Sequence, residues 1–85
     1  MEAILHRLFL KQFKKVPKPI RLKFIERKNL FLNNKFNPAL NNHSVDTAFP
    51  GCRSINITGD YRAIFKEEGE HITFVKIGTH SELYG

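Results

Sequence analysis

Three short stretches of this chain hold side chains whose types and spacing could do chemistry. The closing "GTHSELYG" carries His80 and Tyr84 four apart, so a single helical turn would set them on one face. "CRSINITGDYRAIF" puts Arg53 in one strand, Asp60 and Tyr61 at the exit of a turn, and Arg62 in the returning strand. "ALNNHSV" places His43 in a long stretch between recognisable elements. Histidine passes protons near neutral pH, and guanidinium groups grip phosphate with two parallel hydrogen bonds and stack on bases. Two arginines beside a tyrosine describe a phosphate-gripping sheet, and a histidine after the last strand describes a proton donor. Each residue also has a plainer reading: paired arginines, solvated histidines, or a tyrosine that pins the tail by packing.

Other chemistries find less support. His6 and His71 fall at a strand and at a turn and read as structural or solvated. There is no HxH or HxxxH pair, and Cys52 is the single cysteine, so a thiolate metal cluster and an internal disulfide are both excluded. No metal and no cofactor is expected. GxSxG, P-loop and GxGxxG signatures are absent, which removes the common hydrolase, NTPase and dinucleotide readings. A Cys52 nucleophile is disfavoured because it opens a strand with nothing marking it as exposed.

The chain has 85 residues, with fourteen Lys and Arg against eight Asp and Glu, a net charge of +6 and a pI near 9.8. Such an excess directs attention to nucleic acid, an anionic membrane surface or an acidic protein. No apolar run approaches the ~18 residues of a membrane span, and "MEAILHRLF" lacks the apolar region and cleavage site of a signal peptide. A free thiol suits a reducing compartment, so a cytoplasmic protein is expected.

The elements that must position these side chains follow from periodicity. "EAILH" reads as an opening strand. "RLFLKQFKKV" sets Phe9, Phe13 and Val16 at helical spacing, and "PKP" at 17–19 breaks that helix and can start the next. From Ile20, Phe24 and Phe31 mark an apolar face widened by Ile25 and Leu32, with Arg21, Lys23, Arg27 and Lys28 largely outside it. Pro38 forbids continuation of this second helix. "CRSINI" then alternates, with Arg53, Ile55 and Ile57 on one side and Ser54 and Asn56 on the other. "TGD" reads as a tight turn with Gly59 at a positive φ, "YRAIF" as a strand, "KEEGEH" as a second turn and "ITFVKI" as the last strand. The result is one α+β domain over residues 1–85, ordered β-α-α-β-β-β. Its small twisted antiparallel sheet carries two N-terminal helices on one face, and a short turn or helix closes the chain. The span from Asn34 to Gly51 is long for such a domain, and long loops are usually functional or mobile.

"INITGDYRAIF" followed by "FVKIGTHSELYG" resembles the RelE/ParE superfamily of bacterial toxin–antitoxin systems, and most of all its YafQ-like and RelE-like ribosome-dependent mRNA interferases. The likeness is strong over roughly residues 36–85 and preserves element order over the two helices. It implies a toxin that cleaves mRNA in the ribosomal A site, without a metal, through attack by the ribose 2′-OH. It also implies a cognate acidic antitoxin bound in a hetero-oligomeric complex, with mRNA and ribosome as further partners and no membrane. By the same resemblance His80 takes part in proton transfer, and Tyr84 matches the C-terminal aromatic residue. Asp60 and His43 match an acidic residue and a histidine of the YafQ-like site, while Arg62 matches the arginine that contacts the scissile phosphate. Arg53 matches a basic strand residue that would help hold RNA, and Tyr61, in place of a tryptophan, would stack on a base. Asn56 stands where YafQ-like toxins carry another histidine. The general base is then His43 or Asp60. A ParE-like inhibitor of DNA gyrase with no catalysis, or a silent relative that only binds RNA or antitoxin, are the alternatives implied.

Overall fold

The structure, a computed structural model, describes residues 1–85. Strand β1 (Glu2–Leu5) leads into helix α1 (Arg7–Phe13), whose first turn is capped by His6, the imidazole accepting from Leu8 N at 3.1 Å. The Pro17–Lys18–Pro19 break starts helix α2 (Lys18–Asn33), because proline at the first turn gives up only an N–H that has no helical partner. A 3-10 turn at Pro38–Leu40 and strand β2 (His43–Ser44) follow, and then come strands β3 (Arg53–Asn56), β4 (Tyr61–Glu68) and β5 (His71–Thr79). Helix α3 (His80–Tyr84) closes the chain.

The five strands form one sheet in the order β1-β5-β4-β3-β2. The α+β class, the element order and the two helices on one face agree with the sequence reading. Three details differ. The sheet is mixed, because β1 pairs in parallel with β5 while the other pairings are antiparallel. The α1–α2 hairpin carries the chain from one sheet edge to the other, so the meander β3-β4-β5 returns to lie beside β1. Such a non-local pairing leaves no local sequence signal. Secondly, the long loop contains β2, which makes His43 part of a sheet edge. Finally, Gly59 does not have a positive φ, whereas Gly69 at the β4–β5 turn does, at 61°.

The core is one cluster between the helices and the sheet. Phe9 from α1 and Phe24 and Phe31 from α2 meet Ile55, Ile57, Ala63, Phe65, Ile72, Phe74 and Ile77. Phe74 touches four other phenylalanine rings, with centroids 5.1–6.3 Å apart. Val16 is buried although it lies past the end of α1. Ile25, expected on the core face, is instead exposed, and Leu32 is half-buried.

A register shift between Ile64 and Phe65 matters for function. Phe65 stands opposite Phe74 but Ile64 stands opposite Lys76, so Val75 is the extra residue of a bulge. Strict alternation from Ile72 and Phe74 would send Lys76 into the core. The bulge sends Ile77 there and leaves Lys76 and Gly78 on the other face, with Ile64 and Arg62.

Candidate active site

The sheet face turned away from the helices carries a depression of about 280 Å³. His43, Arg62, His80 and Tyr84 all line it, with Ser44 and Ser54 beside them and Val45, Thr47 and Ala48 along one wall. Four of the five catalytic candidates therefore come together.

Each is positioned by its element. His43 lies in β2 directly opposite Ser54, and its Nδ1 is 2.7 Å from the Asn41 carbonyl, which orients the ring. Asn41 adopts a left-handed conformation, φ 47°, and turns the chain into that strand. Arg62 pairs with Asn56 across β3–β4 and with Gly78 across β4–β5. Its Nη1 donates to the carbonyls of Thr58, Gly59 and Tyr61 at 3.0, 3.0 and 3.2 Å. One nitrogen thus braces the turn, while Nε and Nη2 bind nothing within the protein.

His80 opens α3, where Thr79 and Glu82 form a capping box: Glu82 N donates to Thr79 Oγ1 at 3.1 Å and Thr79 N to Glu82 Oε1 at 2.7 Å. His80 N also donates to the Asp60 carbonyl at 3.1 Å, tying the helix start to the β3–β4 turn. With spacing four, the His80 and Tyr84 rings meet at a centroid distance of 4.7 Å, tilted by 38°. Gly78 permits α3 to sit this close, since a Cβ there would stand 3.2 Å from Glu82 Oε1 and 3.4 Å from Glu82 Cβ.

The other sequence candidates lie elsewhere. The Asp60 side chain is exposed and does not line the depression, its contribution being the carbonyl that holds His80. Arg53 shares the face of Ile55 and Phe65, opposite to that of Arg62, and binds Asn42 Oδ1 through Nε at 2.8 Å. Tyr61 packs on the core cluster and faces a separate small groove with Gln12, Val16 and Leu83. A sheet gripped by Arg53 and Arg62 together, with Tyr61 as a stacking ring, is therefore not the arrangement found. Asn56 stays on the Arg62 face, its Oδ1 buried without a partner.

Three residues at or beside the site escaped the sequence reading. Ser54 is fully buried, lines the depression, and has an unpartnered hydroxyl. Phe49, at the tip of a turn closed by Asp46 Oδ1 accepting from Gly51 N at 2.6 Å, packs edge-on against Tyr84 at 5.6 Å. Lys76 Nζ lies over the Phe49 ring, 5.3 Å from its centroid. An aromatic residue just before a Pro-Gly turn was the available signal for Phe49. Lys76 had none, because the bulge that turns it outward breaks the period.

This arrangement of a mixed sheet, a helical hairpin on one face and a short terminal helix over the other is that of the RelE/YafQ-type toxins. The family model described as the ParE toxin of type II toxin–antitoxin systems, parDE, matches residues 3–84. The chain belongs to this family and is a toxin of the RelE/ParE superfamily. Among solved structures it is similar to YafQ from E. coli, with TM-score 0.83 and 22% identity over 98% of this chain and 97% of that one. The E. coli DinJ–YafQ toxin–antitoxin complex gives TM-score 0.80 and 22% identity, covering 98% and 96%. The RelB–RelE antitoxin–toxin complex of Methanococcus jannaschii gives 0.76 and 21%, covering 95% and 94%. No curated protein matches the chain.

Proposed function

We propose that the chain is a ribosome-dependent endoribonuclease that cleaves mRNA by metal-independent attack of a ribose 2′-OH on the adjacent phosphate. The observation that carries this reading is the convergence of His43, Arg62, His80 and Tyr84 on one open depression. Transesterification needs a base for the 2′-OH proton, an acid for the departing 5′-oxygen, and positive charge on the phosphorane between them. Two histidines lining the same depression suit the proton transfers, with His43 as base and His80 as acid. Asp60 does not serve as the base, because its side chain is exposed and does not line the depression. The free Nε and Nη2 of Arg62 suit two phosphate oxygens, and Lys76, on the same sheet face, adds a second positive charge in place of Arg53. Tyr84 and the unpartnered Ser54 hydroxyl complete the wall and floor.

The antitoxin complexes among the similar structures support a protein antitoxin as partner, and the +6 charge supports an acidic one. No helix is long and apolar enough to cross a membrane. The test is a purified translation reaction with primer extension on the mRNA. Cleavage at A-site codons that is lost with His80→Ala and resists a chelator is expected, and intact message with wild-type protein would reject the reading. The ParE name of the matching family favours one second reading, a non-catalytic gyrase inhibitor, so supercoiling by gyrase is measured in parallel. Inhibition there with intact message would select it.

A further inference from the structure

A second depression, of about 290 Å³, opens farther along β3. Strand β2 pairs with β3 only at Arg53 and Ser54, so the β3 edge from Asn56 onward has no partner strand. Lys23 and Arg27 of α2 and Ala39 of the 3-10 turn line the groove left there, together with Asn56, Thr58 and Gly59. Arg27 repeats the arrangement of Arg62: its Nη1 donates to the Ala39 carbonyl at 3.0 Å, while its Nε is buried without a partner. Asn56 Oδ1 is buried without a partner as well, so the groove holds an unpaired donor and an unpaired acceptor, both rare in folded proteins. Lys23 is paired with the exposed Glu26 at 3.1 Å, and so open a pair is worth little against a phosphate. The groove also shares structure with the catalytic depression. Asn56 stands opposite Arg62 on the same sheet face, and Arg62 Nη1 holds the Thr58 and Gly59 carbonyls.

We infer that this groove holds the nucleotide of a single-stranded RNA next to the phosphate gripped by Arg62. A backbone phosphate rests on Lys23 and Arg27, since a guanidinium and an ammonium together select an oxyanion. The base edge meets the Asn56 amide, which offers a donor and an acceptor as base edges do. The volume lies at the lower limit of ligand pockets, about 300 Å³, which suits a single nucleotide. A free mononucleotide carries the same groups, but the turn shared with Arg62 favours a strand that both sites hold. Assigning this nucleotide to a cleaved message rests on the nuclease reading above, whereas binding of the strand does not.

The probe is a labelled RNA hexamer of mixed sequence, 2′-O-methylated so that it cannot be cleaved, titrated with the full chain by fluorescence anisotropy. Lys23→Gln with Arg27→Gln should weaken binding at least ~10-fold. It should also lower the slope of log K against log salt by about 1.4, or ~0.7 for each of two phosphate contacts. Lys11→Gln with Lys14→Gln removes two exposed charges from α1 and should change affinity about twofold or less. If loss of the Ala39 tether unfolds the first pair, Lys23→Gln with Arg27→Lys keeps one charge and should lower the slope by about 0.7. In the translation reaction Asn56→Ala should broaden the bases accepted beside the cut. No binding by the wild type, an unchanged salt slope, equal losses from the α1 pair, or an unchanged base preference with Asn56→Ala would overturn the inference. Competition by adenosine monophosphate as strong as by unlabelled hexamer would replace the strand with a free nucleotide, and equal competition by hexaglutamate would replace it with an acidic protein. Intact message with the wild type would reject the nuclease reading and leave the binding result standing.

Discussion

At the scale of single residues, Arg62 separates charge from geometry. Its Nη1 is committed to three carbonyls of the turn, so only the forked guanidinium can brace the turn and present two further donors at once. Arg62→Ala should lower cleavage by about 10²–10³-fold, as for removal of one donor to a developing oxyanion. Arg62→Lys should recover only part of that, because one ammonium cannot occupy both places. A fully active lysine variant in the translation assay would show that charge alone suffices. His80→Ala should cost about 10²–10⁴-fold, the usual worth of a positioned proton donor. Its thermal midpoint should stay near wild type, since the side chain is exposed and outside the core cluster.

At the scale of elements, α3 is the weakest part of the site. Five residues are too few to hold a helix by themselves, and none of the five is buried. What holds it is the capping box, the bond from His80 N to the Asp60 carbonyl, and the contact of Tyr84 with Phe49. Thr79→Ala removes a cap worth about 1 kcal/mol, and faster amide exchange in residues 80–84 with an unchanged global midpoint is expected. Phe49→Ala should loosen the same helix from the other side and reduce kcat about ten- to a hundredfold, the range for misplaced catalytic groups. Phe49→Tyr should restore most of it. If Phe49→Ala cleaves at full rate, the loop tip does not position Tyr84.

At the scale of the whole molecule, two properties dominate. The phenylalanine cluster joins α1, α2, β4 and β5 through Phe74, so Phe74→Ala should destabilise the fold by about 3–5 kcal/mol. A denaturant midpoint close to wild type would contradict that centrality. The other property is charge. With +6 spread over both helices and the sheet, association with an acidic partner should slow as salt rises, because fields are screened beyond about 8–10 Å near physiological ionic strength. Stopped-flow association at two salt concentrations measures this, and an on-rate indifferent to salt would remove electrostatic steering from the account.

Whatever depends on local pattern is legible along the chain. Helical spacing of Phe9, Phe24 and Phe31, alternation in "CRSINI" and "YRAIF", the Pro17–Pro19 break, and the i, i+4 pairing of His80 with Tyr84 are all short-range, and the structure agrees with each. Tertiary structure decided everything that depends on which face a strand presents and which distant segment lies beside it. Arg53 and Arg62 look equivalent along the chain, yet opposite parity across β3 and β4 separates them by the thickness of the sheet. Lys76 replaces Arg53 on the site face only because one extra residue at Val75 shifts the register. His43 joins the site because β2 pairs at the far edge, and Phe49 touches Tyr84 across 35 positions of sequence. Period two and period 3.6 are properties of neighbouring residues, whereas bulges, parallel pairing and loop-to-tail contacts are fixed by long-range packing that no local window contains.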